Sequence, residues 1–350
     1  MLSPIPIIQA PMAGSQSTSL CIAVCEAGGI GSIPCAMLTP QAVREQIATI
    51  RAATKAPFNI NFFTHVLPPD DAAAEARWMQ RLAPYFAEAG IDPATISPAP
   101  PRLPFGEAMV DVVEEMRPPI VSFHFGLPAP RLLERVRATG AKILSSATTV
   151  NEARWLGERG VDAIIAQGVE AGGHRGMFLS DDLDAQPGLF ALVPQIVDAV
   201  DVPVIAAGAI ADARGIAAAF ALGASAVQIG TAYLLTPQAT TSPLHRAAIK
   251  NARDDATRLT NLYTGRPARS LLTRFMREQG PINPLAPLFP QATNAAVPLR
   301  TAFEARGSND FSPLWSGEAG ALAREEDAGA LTQRLWNETR ALMTQQAARF

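Results

Sequence analysis

Thiols are scarce in this chain. Only three of its 350 residues are cysteine, Cys21, Cys25 and Cys35, too few and too clustered for a disulfide framework and without a C-x-x-C pair. Cys21 and Cys25 stand four apart in a helix-compatible stretch, which gives them packing roles in a reduced, cytoplasmic protein. Long apolar runs are missing too, none approaching the roughly 20 residues that span a bilayer. The N-terminal MLSPIPIIQAPM lacks the basic start and long apolar middle of a signal peptide. Neither sign of charge dominates: 29 Lys and Arg against 32 Asp and Glu give a formal net charge of -3, without the basic excess of a nucleic-acid binder. Histidine occurs four times, no two with ligand spacing beside a carboxylate, so no metal site is expected.

What the chain does have is apolar material, 48% of its residues. Eight short runs recur along the first two-thirds: Pro6 to Met12, Gly29 to Pro34, Phe58 to Phe63, Ile120 to Gly126, Lys142 to Ala147, Ala163 to Gly168, Val202 to Gly208 and Ala226 to Thr231. Each is nearly continuous rather than alternating, as in parallel strands covered on both faces. Helical stretches such as TPQAVREQIATIRAAT separate them. Eight strand–helix units in series predict an α/β fold, a (β/α)8 TIM barrel. A Pro-rich piece, ISPAPPRLPFG, marks an elaborated third unit, and PINPLAPLFPQATNAAVP beyond the eighth run reads as loop and short helix. The expected organisation is a barrel over residues 1–236 and 320–350, with a small, mostly helical substrate-side domain over residues 237–319 after the eighth strand.

Polar residues gather at the C-terminal ends of these runs, where barrel active sites lie. They are Gln9, then Asn59 and Asn61, His124, Ser145 and Ser146, and Gln167. A buried, unpaired polar group costs about 1–3 kcal/mol. Neighbouring loop backbone explains one such residue; a bound polar ligand explains five strand tips together. The seventh and eighth runs end in Gly208 and in Gly230-Thr231, each ahead of an expected helix N-terminus that favours an anion. Spacing therefore points to a phosphorylated ligand. FMN suits the pattern, with a phosphate tail and a planar ring across the barrel mouth.

The sixth run leads into GVEAGGHRG, Gly168 to Gly176, four glycines around His174. Glycine is poor in helices and strands, so the segment is either a tight turn or a place where a ligand meets the backbone beside a working imidazole. His124 is a candidate pocket residue, whereas His65 and His245 are assigned surface or packing roles. In NLYTGRPARS, Tyr263, Arg266 and Arg269 combine an aromatic ring, a turn and two cations, and Tyr263 is a candidate substrate contact.

Together QAPMAG, FNINFF, SFHFGLP, GVEAGGHRG, AAGAIADARG, QIGTAYL and PLWSGEA resemble the nitronate monooxygenase family, formerly 2-nitropropane dioxygenase, in its class I branch. The resemblance spans about Pro6 to Ala319 and implies an FMN-dependent barrel enzyme. On matching positions it implies that Ala10, Pro11, Met12 and Asn61 line the flavin, as do Ser146, Gln167, Ala171, Gly172, Gly208, Gln228, Gly230 and Thr231. His174 matches the catalytic histidine. The implied reaction is the oxidation of alkyl nitronates, and of nitroalkanes after loss of a carbon-bound proton, by O2 to a carbonyl compound and nitrite. His174 would act as the base or as the partner of the nitro group, in a monomer or homodimer without nucleic-acid or membrane partners. Family members that take a carboxylated nitronate use tyrosines and a lysine in the small domain, whereas residues Gln279 to Pro298 hold neither, which points away from propionate 3-nitronate towards a less polar nitronate or an unrelated electron acceptor or donor. The rival readings are an NAD(P)H:quinone or enoyl-thioester reductase on the same kind of barrel, or a barrel that binds a phosphorylated ligand without redox work.

Overall fold

The computed structural model describes residues 3–96 and 102–349, so part of the Pro-rich piece in the third unit, residues 97–101, lies outside the described residues. The strands are β1 (Ile7–Gln9), β2 (Gly31–Pro34), β3 (Phe58–Phe63), β4 (Ile120–His124), β5 (Lys142–Ala147), β6 (Ala163–Gln167), β7 (Gly173–His174), β8 (Val204–Ala207), β9 (Ala226–Ile229), β10 (Thr257–Thr260) and β11 (Ala268–Leu271). Eight of them form one parallel sheet in the order β1-β9-β8-β6-β5-β4-β3-β2. A parallel bridge between Ile8 and Ile30 closes it, with Gln9 N–H donating to Ile30 O at 2.8 Å and Ile30 N–H to Ile7 O at 2.9 Å. The protein is a (β/α)8 barrel.

Two apolar layers account for the continuous runs. Ile8, Ile30, Ile120, Leu144, Ile165 and Ile205 point inward and fill the lumen. The alternate residues of the same strands, such as Ile7, Ile33, Ile60, Val121, Ile143 and Ile164, meet the surrounding helices in the largest cluster. Helix starts are marked as their sequences require: Thr39 accepts from Ala42 N–H ahead of Pro40, and Thr149 from Glu152 N–H. The last helix, Ala328–Ala347, packs on the helices Thr18–Glu26 and Ala213–Ala221 and places Thr332 Oγ1 2.8 Å from the Tyr233 hydroxyl.

A separate apolar cluster lies beyond the C-terminal ends of the strands. It joins Trp78, Leu82 and Phe86 of the helix Ala72–Ala89, in the third unit, to Leu262, Phe275, Leu299 and Phe311 from beyond β9. The chain after β9 is not only loop and helix, because β10 and β11 form an antiparallel hairpin. That hairpin takes β7 as a third strand, with Ala268 opposite His174. TRLT and ARSL are short and carry charged residues, so no apolar run announces them.

The helix Thr18–Glu26 crosses β2 where only hydrogen fits. A Cβ on Gly31 would lie 2.1 Å from Cys21 O and 2.6 Å from Cys21 Cα, both backbone atoms. Gly31→Ala is expected to cost about 3 kcal/mol, the upper range of overpacking penalties, read as a lowered urea midpoint with an unchanged slope. Wild-type stability in that variant would show that helix and strand are not so closely apposed.

Candidate active site

A cavity of about 300 Å3 opens at the C-terminal ends of the barrel strands. Ala10, Pro11 and Met12 line it beyond β1, Asn61 on β3, His124 on β4, Ser146 on β5, Gln167 on β6 and Gln228 on β9. The loop after β6 contributes Ala171, Gly172 and His174, and the turns after β8 and β9 contribute Gly208, Gly230 and Thr231. Tyr263 is not brought there. It is 3% exposed, its hydroxyl lies 2.7 Å from Thr273 Oγ1, and its ring backs onto Trp315 at 5.6 Å between centroids. An aromatic so well packed belongs to the apolar cluster, which corrects its assignment as a substrate contact.

Several strand-tip polar groups serve the protein itself. Gln9 binds Gln16 Oε1 at 2.9 Å and takes the Ser32 N–H at 3.0 Å. Asn59 Nδ2 donates to Ser32 Oγ at 3.0 Å, and Ser145 Oγ to Gly126 O at 2.9 Å. Gln167 Nε2 donates to His174 O at 3.0 Å, while its Oε1 takes the Gly176 N–H at 2.7 Å. Asn61 uses its Nδ2 on Ser122 Oγ at 2.9 Å, but its Oδ1 has no partner among the described residues. Gln228 Oε1 is buried and unpartnered on the cavity wall. An orphaned buried acceptor costs free energy unless a donor arrives, so Gln228 Oε1 is open to a ligand's donor, while Asn61 Oδ1, not one of the buried unpartnered atoms, borders the cavity.

The anion end differs from the helix-terminus expectation. The helix Ala213–Ala221 does follow β8, but Asp212 caps it, accepting from Arg214 N–H at 2.9 Å and Gly215 N–H at 3.4 Å. A carboxylate already occupies the place an anion would take. The available donors precede it: among the described residues, the backbone N–H groups of Gly208, Ala209, Ile210 and Gly230 have no protein acceptor, and all four residues line the cavity. Gly208 sits at φ +130°, within 3.5 Å of the Ala171 backbone for any added Cβ, so the two loops meet there through glycine.

The glycines of Gly168 to Gly176 serve close packing of the chain on itself. A Cβ on Gly172 would meet Gly317 N at 2.5 Å, and one on Gly176 would meet His124 Cε1 at 2.9 Å. Arg175, between them, is fully buried. It donates to Gly168 O at 2.6 Å, to Gln167 O at 2.8 Å and to Gln186 Oε1 at 2.9 Å. Gln186 passes the contact through Thr148 Oγ1 (3.1 Å) to the buried Glu152 (2.7 Å), which also takes the N–H groups of Phe178 and Leu179. Burial without a directly bonded carboxylate pushes the Arg175 guanidinium down to about 10. Arg175→Met is expected to lower stability by about 3 kcal/mol, since two carbonyls and a glutamine lose charge-assisted bonds. Thermal unfolding checks it; an unchanged midpoint would mean that the loop holds itself.

His174 stands at the centre of an aromatic box. Its ring lies 5.4 Å from Trp315, 5.6 Å from Phe289, 6.0 Å from Phe125 and 6.1 Å from Phe63. Its Nε2 is 2.9 Å from Thr264 Oγ1, and its carbonyl accepts from Gln167 and from His124 Nε2 at 3.1 Å. Burial first, and then the positive field of His124, Arg102, Arg266 and His65, holds the His174 imidazole well below its ordinary range. His124 is pushed down to about 4 by burial, and both of its ring nitrogens are engaged, Nδ1 with Ser146 Oγ at 3.0 Å. It lines the cavity, but its ring serves to seat His174. His245 packs under Trp315 O at 3.1 Å and is pushed down to about 4, and burial lowers His65 as well.

All four histidines therefore stay neutral in the native state where the unfolded chain takes up protons. Stability is full above pH 6.5 and is lost as pH falls from there towards 4. Each histidine contributes a slope of up to about 1.4 kcal/mol per pH unit. Urea midpoints between pH 7 and 5 test this; a flat profile would place the imidazoles in water.

Sequence reasoning passed over Phe63, Arg102, Arg300 and Trp315, which line the cavity, and Thr264 and Arg175, which hold His174 in place. Arg175 was open to discovery as the one cation inside the glycine segment. No carboxylate lines the cavity among the described residues, whereas Arg102 and Arg300 do. Among the same residues no cluster of three potential metal ligands occurs, and no helix is long and apolar enough to cross a membrane.

A closed parallel barrel with a polar cavity at its C-terminal mouth and a neutral imidazole on the wall is a barrel enzyme. The chain belongs to the nitronate monooxygenase family, whose model matches residues 2–338, a family of flavin-dependent oxidoreductases. It is 41% identical to nitronate monooxygenase from Paraburkholderia phytofirmans over 95% of this chain and 92% of that one. It is 42% identical to nitronate monooxygenase from Pseudomonas aeruginosa over 96% of each. Among solved structures it superposes on nitroalkane oxidase from Streptomyces ansochromogenes with TM-score 0.89 at 39% identity, covering 99% and 98% of the two chains. FabK from Thermotoga maritima shares the fold at TM-score 0.75 and 28% identity, over 100% of this chain and 97% of that one.

Proposed function

We propose that this enzyme oxidises alkyl nitronates, using FMN and O2, to a carbonyl compound and nitrite, and that His174 takes the carbon-bound proton when the substrate arrives as a nitroalkane. The observation that carries the reading is the cavity's charge: two arginines, Arg102 and Arg300, on its wall and no carboxylate among the described residues. Such a wall draws an anion, and a nitronate is one. The residues suit FMN. The acceptor-free N–H groups of Gly208, Ala209, Ile210 and Gly230 would hold its phosphate, and Gln228 Oε1 and Asn61 Oδ1 would take donors of its ring edge or ribityl chain. When bound, FMN supplies the electron acceptor that O2 then restores.

The chain's own groups do the rest. An uncharged imidazole has a lone pair for the substrate's α-proton, which a protonated one lacks. Phe63, Phe289 and Trp315 keep bulk water from the ring, so a proton taken there stays near the product nitro group. On this reading the segment over residues 237–319, together with the helix Ala72–Ala89, forms the substrate-side domain over the barrel mouth. Arg102 has no ion-pair partner among the described residues and stands near enough to His174 to depress it, so it would face the anionic end of the substrate.

Anaerobic mixing of the flavin-loaded protein with a nitronate, and separately with NADH, tests the reading. Bleaching of the flavin absorbance by the nitronate alone is expected; rapid bleaching by NADH alone would favour a reductase. His174→Asn is expected to retain flavin yet lose about 100-fold or more in kcat/KM on neutral nitroalkanes, the usual worth of a positioned base, with a smaller loss on preformed nitronates. Equal losses on both would remove the base role. Arg102→Met should raise KM for nitronates several-fold while leaving KM for neutral nitroalkanes nearly unchanged.

A further inference from the structure

The hairpin that pairs with His174 also delivers, among the described residues, the only hydrogen bond to its ring. β11 sets Ala268 opposite His174, and the turn between β10 and β11 carries Thr264, which is 6% exposed, to within 2.9 Å of His174 Nε2. Gly265 makes that turn possible: at φ +86° it passes so close to Pro287 O that an added Cβ would lie 2.1 Å away. Thr264 Oγ1 has one proton and two lone pairs. The Arg266 N–H donates to it at 3.4 Å, and it donates in turn to Arg266 O at the same distance. The Arg266 carbonyl has no other donor among the described residues. If the threonine proton goes there, the hydroxyl's remaining lone pair is left for His174, whose Nε2 must then be the N–H donor.

From these contacts we infer that Thr264 is a positioning residue that fixes His174 in the tautomer protonated at Nε2. The Nδ1 lone pair is then left towards the cavity. His174 Nδ1 has no protein partner among the described residues and is not one of their buried, unpartnered atoms, in keeping with an atom open to the cavity. The reverse arrangement would strand the Arg266 carbonyl and turn an N–H on Nδ1 outward, a donor that cannot accept a proton. The inference rests on the base role proposed above, because only a base needs that lone pair free.

The tautomer can be read without turnover. In flavin-loaded protein labelled with 15N-histidine, four imidazoles give a spectrum simple enough to assign, with His174→Asn identifying the fourth. Wild type and Thr264→Ser are expected to show His174 protonated at Nε2 and bare at Nδ1, and Thr264→Val to show a mixture or the opposite tautomer. In parallel, Thr264→Val should lose about five- to tenfold in kcat on a neutral nitroalkane, the worth of one neutral hydrogen bond, with KM little changed and Thr264→Ser restoring the rate. A wild-type His174 protonated at Nδ1, or a Thr264→Val protein that keeps the Nε2–H form alone, overturns the inference. If Thr264→Val does not fold, the wild-type and serine spectra still decide. Should wild type carry the expected tautomer but leave nitroalkanes unoxidised, the proposed reaction falls and the positioning contact stands.

Discussion

Arg175 is the fastening on which the site depends. A guanidinium taken out of water is costly unless its donors are met, and here they meet Gln167 O, Gly168 O and Gln186 Oε1 at 2.6–2.9 Å. That clamp ties the start of the loop after β6 to its end, so the loop turns back on itself beside the barrel mouth. The His174 carbonyl is then held between Gln167 and His124. The imidazole's direction follows from the backbone on one side and from the β10–β11 hairpin on the other. Glycines at 168, 172 and 176 are what such close turning demands, since a Cβ at each would enter a neighbour at 2.9 Å or less.

Two apolar bodies meet at this loop. The barrel's lumen and shell are filled by branched aliphatic residues from every strand. Aromatic residues dominate the second cluster, which combines a helix from the third unit with the chain beyond β9. His174 lies between them, its ring among Phe63 and Phe125 from the barrel side and Phe289 and Trp315 from the other. A side chain at such a boundary is shielded from bulk water yet borders the space that the two bodies leave open. Its low basicity has the same origin as its placement.

The barrel was legible because burial on both faces leaves a mark in composition: eight continuous apolar runs became the eight strands of the closed sheet. The hairpin was not, since TRLT and ARSL gain their partners from β7 and from each other rather than from an apolar pattern. The cavity wall could be listed from strand tips and family strings, but not what each tip does. Gln9 and Gln167 look alike in sequence to Asn61 and Gln228, and only distances show which oxygens are already taken. Asp212 was read past for a related reason, because a capping carboxylate and an anion site obey the same electrostatics and differ only in occupancy. In NLYTGRPARS the tyrosine drew attention by size, while the threonine beside it is the residue that reaches His174.

The electrostatics of the cavity carry a tension that the proposed chemistry resolves. Arg102 and Arg300 make the cavity attractive to an anion, and burial together with the field of His124, Arg102 and Arg266 disfavours a proton on His174. For a ligand-free site this leaves a weak base, poorly matched to removing a proton near neutral pH. An anionic product reverses the balance. As a nitroalkane loses its proton, negative charge develops on the nitro oxygens beside the arginines while positive charge develops on the imidazole. Each charge then stabilises the other, so the reacting pair gains more from the site than the neutral reactants do. A preformed nitronate enjoys the first half of that gain on binding and needs no proton moved. On the proposed reading, the arrangement would serve nitronates at any pH where the arginines are charged, and neutral nitroalkanes only through an imidazole whose lone pair is held ready.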